Sequence, residues 1–387
     1  MTGPLKVGML NPYSGVYPYY AHHLSAGMLL GMYPGAPKRN EVQFVSAYTN
    51  MGDPKSTLEA VNRLVFFEQV DIVSGLVSYK SVIDIIPVIE RHNKIGFFFD
   101  SGEYIPWFDY LSSRIFYSSQ QIWQTQYALG HWAAKEYGDG GQMIMTIYEA
   151  GYHINSSFNR GARDAGSANI GTQVIPHDKR DPKKLELDDF FDRIRKNPPP
   201  YVHAIFVGSL GNDFLLAWKN SGLHKQIPLI VVENMAYDDV LSDVGHLDLE
   251  LITASTWNRA DESPRNREFV KRFESAGGQM ANIFGLLGYE AGLALKEIKT
   301  LAQKRDFDKV AKLLQTESVQ GPRGERNFYP SSGFSLPVTD IVSIKTSANN
   351  IYKTVLSQGN GLRFDAREFK EIHEGSISGW LNPYLCI

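Results

Sequence analysis

Cysteine is almost absent from this sequence: Cys386 is the only one in 387 residues. A single thiol forms no internal disulfide and supplies no metal cluster. Long hydrophobic runs are missing too, since no apolar stretch approaches the roughly 20 residues needed to cross a bilayer. The opening Met1-Thr2-Gly3-Pro4 lacks the basic start and apolar stretch of a signal peptide. The expectation is therefore either a cytosolic chain or an exported one whose leader has been removed. Charge of one sign is also scarce: 39 Lys and Arg stand against 42 Asp and Glu, a net of −3. The basic residues are scattered, so no stripe marks a nucleic-acid face. Short pairs such as Lys183-Lys184 and Lys304-Arg305 read as solvated helix or loop ends.

Catalytic motifs are lacking as well. There is no Gly-rich phosphate loop followed by Lys-Ser/Thr, and no Gly-x-Gly-x-x-Gly after a predicted strand. Gly375-Ser376-Ile377-Ser378-Gly379 has its serines at the wrong offsets for a nucleophile elbow. His22 and His23 are adjacent on a predicted helix and point different ways, so they read as a surface pair. No His-Glu-x-x-His or Cys/His cluster supports a metal. Asp188-Asp189 and Asp238-Asp239 lie near predicted helix starts, where the helix dipole accounts for them without catalysis. The sequence thus predicts no enzyme, no cofactor and no metal.

What is present is a globular composition, 43% hydrophobic and 21% charged. A chain of 387 residues exceeds one ordinary core, so two domains are expected. Aromatics make up 12%, with 20 Tyr and 21 Phe. Many Tyr fall in predicted loops, which fits either packing between lobes or a ring-lined pocket.

Short apolar runs alternate with helical periodicity along most of the chain. Strands are expected over residues 5–10, 42–48, 70–75 and 95–99, with helices over 22–32, 54–68 and 82–92. After a break near 118–124 the pattern resumes. Strands are expected over 142–147, 172–175, 204–207, 229–232 and 251–253, and helices over 156–165, 187–196 and 214–220. Such alternation makes parallel sheets with helices on both faces. In open α/β sheets, ligands sit in the loops beyond the carboxyl ends of strands. That rule selects loops 14–20, 76–81, 100–104, 148–153, 209–213 and 233–237, in each of which Ser, Asp, Glu or Tyr follows an apolar strand. With two lobes face to face, these loops converge on one cleft.

The order of several segments resembles the type I periplasmic binding proteins of the branched-chain amino acid, amide and urea branch. Lys6-Val7-Gly8-Met9-Leu10 through Ser14-Gly15 is similar to that family's first strand and its small Ser-Gly or Thr-Gly loop. Asp53-Pro54, Ala60, Leu64 and Val70-Asp71-Ile72-Val73-Ser74-Gly75 resemble its second helix and third strand. Gly75-Leu76-Val77-Ser78 through Pro87-Val88-Ile89-Glu90 keeps the spacing of another segment. Phe206-Val207-Gly208, Ser221-Gly222-Leu223, Gly288-Tyr289-Glu290-Ala291 and Gly321-Pro322-Arg323-Gly324 follow in the family's order. The closing Asn382-Pro383-Tyr384-Leu385 resembles the end of the amide and urea binders. Each piece is weak alone, and their shared order spans nearly the whole chain.

The resemblance implies an α/β fold of two doubly wound parallel-sheet lobes joined by a three-strand hinge. It implies an N-terminal lobe of residues 1–121 plus 254–330, and a C-terminal lobe of 122–253 plus 331–387 with its tail extension. It also implies jaw-like closure on a ligand. Ser78 falls on a serine of the family's carboxylate- or amide-binding loop; it reads equally well as an N-cap for the following helix. Tyr79 stands where many members carry a second serine. Ser101 sits at the family's Ser/Thr after the fourth strand, with Phe99 before it and Asp100 replacing a common proline. The alternative for Ser101 is a plain turn residue. Tyr148 and Tyr152 lie where the family stacks a tyrosine on its ligand, and either also reads as packing. Glu233 matches an acidic residue that holds the amino group in amino-acid binders, against a reading as a capped loop acid. Tyr17, Tyr19 and Tyr20 are candidates to roof the pocket, Ser209 lies in the fifth loop, and Asp213 reads as an N-cap.

The expected function is that of an extracellular solute-binding protein of an ABC transporter. Its solute would be an amino acid, an amide, a urea-like compound or an aromatic acid. Its partner would be a membrane permease, with no nucleic acid involved and a monomeric or weakly dimeric state. The rival is a cytosolic amide-type sensor that regulates a partner protein. An enzyme on a similar two-lobed scaffold is a further alternative, which turnover of a bound ligand would reveal.

Overall fold

The computed structural model describes residues 3–35, 41–107, 112–176, 185–330, 338–362, 365–375 and 380–386. Lys183-Lys184 and the serines of the Ser376–Ser378 stretch lie outside these residues.

The first sheet is built from β1 (Leu5–Asn11), β2 (Val42–Tyr48), β3 (Ile72–Leu76), β4 (Ile95–Asp100) and β5 (Ile115–Ser119). Their order is β2-β1-β3-β4-β5, and every pairing is parallel. Strands β3 to β5 are buried along their whole length, which is why they read as unbroken apolar runs rather than alternating ones. The connecting helices are α1 (Tyr20–Met32), α2 (Pro54–Phe66) and α3 (Tyr79–Arg91). Helix α2 starts where the sequence supplies both start signals. Pro54 is its first residue, and the Asp53 carboxylate accepts the Ser56 N–H at 2.9 Å. Near the end of β3, Gly75 adopts φ +115, and a Cβ there would lie 2.2 Å from the Leu10 carbonyl oxygen. Only glycine fits both demands.

The second sheet contains β6 (Gln142–Thr146), β7 (Gly171–Ile175), β8 (Val202–Ile205), β9 (Leu229–Val231) and β10 (Glu250–Ser255). It is flanked by α4 (Ile122–Tyr137), α5 (Ile147–Ala150), α6 (Ile154–Asp164), α7 (Asp188–Lys196), α8 (Ser209–Ser221) and α9 (Asp238–Leu241). The chain then returns to the first sheet through α10 (Pro264–Gly277), α11 (Ile283–Gln303) and α12 (Phe307–Thr316). Helix α11 crosses α1 so closely that a Cβ on Gly27 would lie 2.2 Å from the Gly285 carbonyl oxygen. A small hairpin of β11 (Val319–Gly321) and β12 (Gly324–Arg326) precedes the last crossing.

Two antiparallel strands, β13 (Asp340–Ser347) and β14 (Asn350–Gln358), complete the second sheet in the order β14-β13-β10-β9-β8-β6-β7. The chain ends its described course with α13 (Ala366–Gly375) and the extended segment 380–386. The architecture is α/β in two lobes, with an all-parallel sheet in the first and, in the second, a sheet that is parallel over β6 to β10 and antiparallel at its β13-β14 edge. Strand β14 escaped the sequence reading because it is largely exposed and carries no clear alternation, with Tyr352, Val355 and Leu356 facing out. No helix among the described residues is long and apolar enough to cross a membrane.

Candidate functional site

The loops selected by the strand-end rule do converge. The two lobes meet through a backbone hydrogen bond from His153 N–H to the Glu103 carbonyl, 3.0 Å. The Tyr104 ring lies against Tyr152 and His153, at centroid distances of 5.4 and 4.8 Å. Val16 of the first loop packs 3.2 Å from the position a Cβ on Gly208 would take. The gap between the sheets is closed.

On the first-lobe side the gap is floored by Ser78, Asp100, Ser101 and Glu103, all buried. Ser78 is the N-cap of α3 by position, yet its hydroxyl makes no capping bond and completes no hydrogen bond. The capping explanation for this serine therefore does not hold. Asp100 accepts the Gly102 N–H through one oxygen at 3.1 Å, while its other oxygen completes none. Neither oxygen of Glu103 has a well-aligned partner, although the N–H groups of Ser101 and Tyr384 and the Ser78 hydroxyl approach it. Burial pushes the Glu103 carboxyl up to about 7. Burial, and then the charge of Glu103, hold Asp100 well above the usual carboxylate range. Gln121 stands at the first crossing in the left-handed conformation, φ 64, and both atoms of its buried side-chain amide lack partners.

The second lobe contributes a matching set. Glu149 accepts the Thr146 N–H at 3.0 Å and the Thr146 hydroxyl, an arrangement that caps α5, while its other oxygen is unpaired. Burial raises this carboxyl to about 7. Glu233 accepts the Ser255 hydroxyl at 3.0 Å and the Thr256 N–H at 2.8 Å through one oxygen, leaving the other unpaired. Burial raises its pKa against those bonds. Asn234 donates to the Phe206 carbonyl at 2.9 Å and keeps its amide oxygen unpaired. Buried polar groups without partners are rare in folded proteins, and several of those in this protein lie on the gap.

Aromatic rings line the gap. Tyr79 stacks on Tyr117 at 4.2 Å. Tyr148 and Tyr152 meet edge to face at 5.3 Å, with their hydroxyls 3.3 Å apart. Between them and the first lobe runs the segment 380–386. The Tyr384 ring is parallel to Tyr148, 5.8 Å away, and edge-on to Tyr152 at 5.1 Å. The sequence treated Asn382-Pro383-Tyr384-Leu385 only as a family signature; its place in the gap was not foreseen.

A profile of the periplasmic binding proteins matches residues 4–342. The chain belongs to the periplasmic binding protein family. One curated relative, Leu/Ile/Val-binding protein homolog 6 of Brucella abortus, is 22% identical over 338 residues, 85% of this chain and 84% of its own length. Among solved structures, a solute-binding protein from R. palustris in complex with benzoate superposes with a TM-score of 0.72 at 19% identity. That match covers 94% of this chain and 99% of the other. A solute-binding protein from Rhodopseudomonas palustris BisB5 in complex with 3,4-dihydroxybenzoic acid gives 0.75 at 18%, with the same two coverages. The family, the curated relative and the similar structures are all described as binding proteins, none as an enzyme.

Several site expectations need correction. Phe99 is wholly buried in β4 beside Phe97, a sheet residue rather than a free ring of the gap. Tyr19 is 65% exposed and roofs nothing. Tyr20 turns inward to Phe284 and donates to the Pro12 carbonyl at 2.6 Å. Tyr17 keeps a place at the gap's edge, with its N–H on the Ser14 hydroxyl at 3.0 Å and its ring on Phe284. Ser209 is the first residue of α8, after Gly208, and Asp213 lies inside that helix instead of capping it. The sequence reading missed Glu103 and Glu149 as individuals. Both sit in loops it had named, and no spacing singles out one loop carboxylate from another.

Proposed function

We propose that this protein is the solute-binding component of an ABC-type importer, working in the periplasm and handing one small molecule to a membrane permease. The observation that carries the reading is the convergence of unpaired buried polar atoms from strand ends of both sheets on one closed gap. An enclosed guest would supply the missing partners, and its release from water would supply much of the affinity. The lobes in this reading are residues 1–121 with 254–330, and 122–253 with 331–387.

The chemistry of the gap narrows the guest. Asp100 and Glu103 form no ion pair among the described residues, and burial holds both carboxyls above their usual range, so a further negative charge beside them would be costly. A hydrogen-bond donor end, a primary amide or an ammonium, fits where a carboxylate does not. Ser78 and Glu103 would take that end, Glu233 and Glu149 any second donor, and Tyr148 and Tyr152 the body. The similar structures hold benzoate and dihydroxybenzoic acid, which supports a ring-sized guest.

A thermal-shift panel of amino acids, primary amides, aromatic amines and aromatic acids tests this. Stabilisation by amides or amines, with none from benzoate, is expected. Stabilisation by benzoate alone would show that the polar end has been assigned the wrong chemistry.

A further inference from the structure

The segment from Trp380 to Cys386 enters the gap from the surface and ends in its depth. Trp380 and Leu381 are exposed, whereas Pro383, Tyr384, Leu385 and Cys386 are buried. The segment is fastened to both lobes. On the first-lobe side the Ser81 hydroxyl donates to the Leu381 carbonyl at 2.7 Å, Tyr104 OH to the Trp380 carbonyl at 2.7 Å, and the Ser14 hydroxyl to the Leu385 carbonyl at 2.5 Å. On the second-lobe side the Leu385 N–H donates to Tyr148 OH at 2.9 Å, and the Trp380 indole to the Tyr148 carbonyl at 3.1 Å. Pro383 packs over Gly52, where a Cβ would lie 2.5 Å from the proline ring.

Tyr384 occupies the middle. Its ring lies against Tyr148 and Tyr152, and its hydroxyl ends near Glu149 and Asn234. It stands where an enclosed guest's ring would stand. The fit is incomplete in one respect: the Ser78 hydroxyl and both Glu103 oxygens have no well-aligned partner beside it, although the Tyr384 N–H approaches Glu103 and the Tyr384 hydroxyl approaches Asn234. Leaving buried polar atoms unpaired is costly, so a guest able to pair them has an advantage over the segment.

We propose that the segment 380–386 is the gap's built-in occupant, and that a solute binds by displacing Tyr384 from the Tyr148–Tyr152 wall. Tyr384 is then a specificity-determining residue. A guest must replace its ring with one of similar size and must add the donor that the segment lacks, so aromatic amides and aromatic amines are the class selected. This rests on the solute-binding reading for the guest, though not for the occupant. Because only the fraction with the segment displaced binds, the segment lowers apparent affinity by that fraction.

Cys386 is the sole cysteine of this sequence and is buried two residues beyond Tyr384, so thiol labelling of the chain reads the segment's release without an added probe site. Labelling by a maleimide is expected to be slow in the free protein. It should be at least tenfold faster in Tyr384→Ala and within threefold of the parent in Tyr384→Phe, which keeps the ring. N-acetyl-L-tyrosinamide, a neutral aromatic amide, is expected to accelerate labelling of the parent protein at least fivefold at saturation. An unchanged rate in folded Tyr384→Ala overturns the occupant. Calorimetric binding of the probe with no rise in labelling overturns displacement. No binding of the probe, with Tyr384→Ala still fast, overturns the guest class and leaves the occupant standing. Should Tyr384→Ala fail to fold, Ser81→Ala loosens the segment at its rim and is expected to speed labelling two- to fivefold; an unchanged rate there counts against the occupant in the same way.

Discussion

Glu290 is wholly buried with its carboxylate 2.6 Å from Arg323 and 3.7 Å from Arg326. Burial, and then the charge of Arg323, lower Arg326 to about 9, and the Glu290 carboxylate works against that shift. Two family-like pieces of sequence, Gly288-Tyr289-Glu290-Ala291 and Gly321-Pro322-Arg323-Gly324, are thus the two halves of one ion pair. Glu290→Gln removes the buried carboxylate that pairs with Arg323, and a loss of about 3–5 kcal/mol in urea denaturation is expected. Glu103 gives a prediction of opposite kind. Its carboxyl is raised from 4.5 to about 7 in the folded state. The folded protein therefore holds a proton that the unfolded chain has lost between those values. Stability from this group is full below about 4.5 and is lost as pH rises through about 7. The melting temperature of the parent is expected to fall more steeply from pH 5 to pH 8 than that of Glu103→Gln, in the absence of solute. Equal slopes would show that Glu103 does not titrate in this range. At the scale of residues, the sequence indicated Ser78, Tyr148, Tyr152 and Glu233 because strand ends and family order both pointed to them. Glu103 had only a position in a loop, and burial, which gives it its character, is a property of the fold.

Elements were the most legible level, for a physical reason. Strands buried on both faces show as continuous apolar runs, and capped helices such as α2 announce their starts with Asp53-Pro54. The apolar stripe predicts α3 from Val82, and the helix begins at Tyr79, because Lys80 and Ser81 interrupt the stripe without interrupting the backbone. Strand β14 and helix α13 were absorbed into a tail extension, since neither stands in the alternation that marks the rest. The contact of α1 with α11 is invisible in any local window: it joins residues more than 250 apart through glycines. Gly27→Ala would drive a methyl group against the Gly285 carbonyl oxygen, and backbone on both sides limits relief. A loss of about 1–3 kcal/mol is expected in urea denaturation. A variant as stable as the parent would mean that the two helices separate freely.

At the scale of the whole molecule, the gap belongs to neither lobe alone. Ser78, Asp100 and Glu103 reach it from the first sheet, and Glu149, Glu233 and Asn234 from the second. Cationic guests add a linkage that the whole closed structure imposes: an ammonium beside Glu103 favours its ionised form, so binding releases protons and tightens as pH rises from 6 to 8. Calorimetry in two buffers of different ionisation heat measures that release. The most direct measurement is the dissociation constant of whichever amide or amine stabilises the protein most, determined by titration calorimetry for the parent, Ser78→Ala, Glu103→Gln and Glu233→Gln. If residues of both sheets hold one enclosed guest, each variant binds at least tenfold more weakly while remaining folded. Undiminished affinity in all three would place the guest elsewhere and contradict the account.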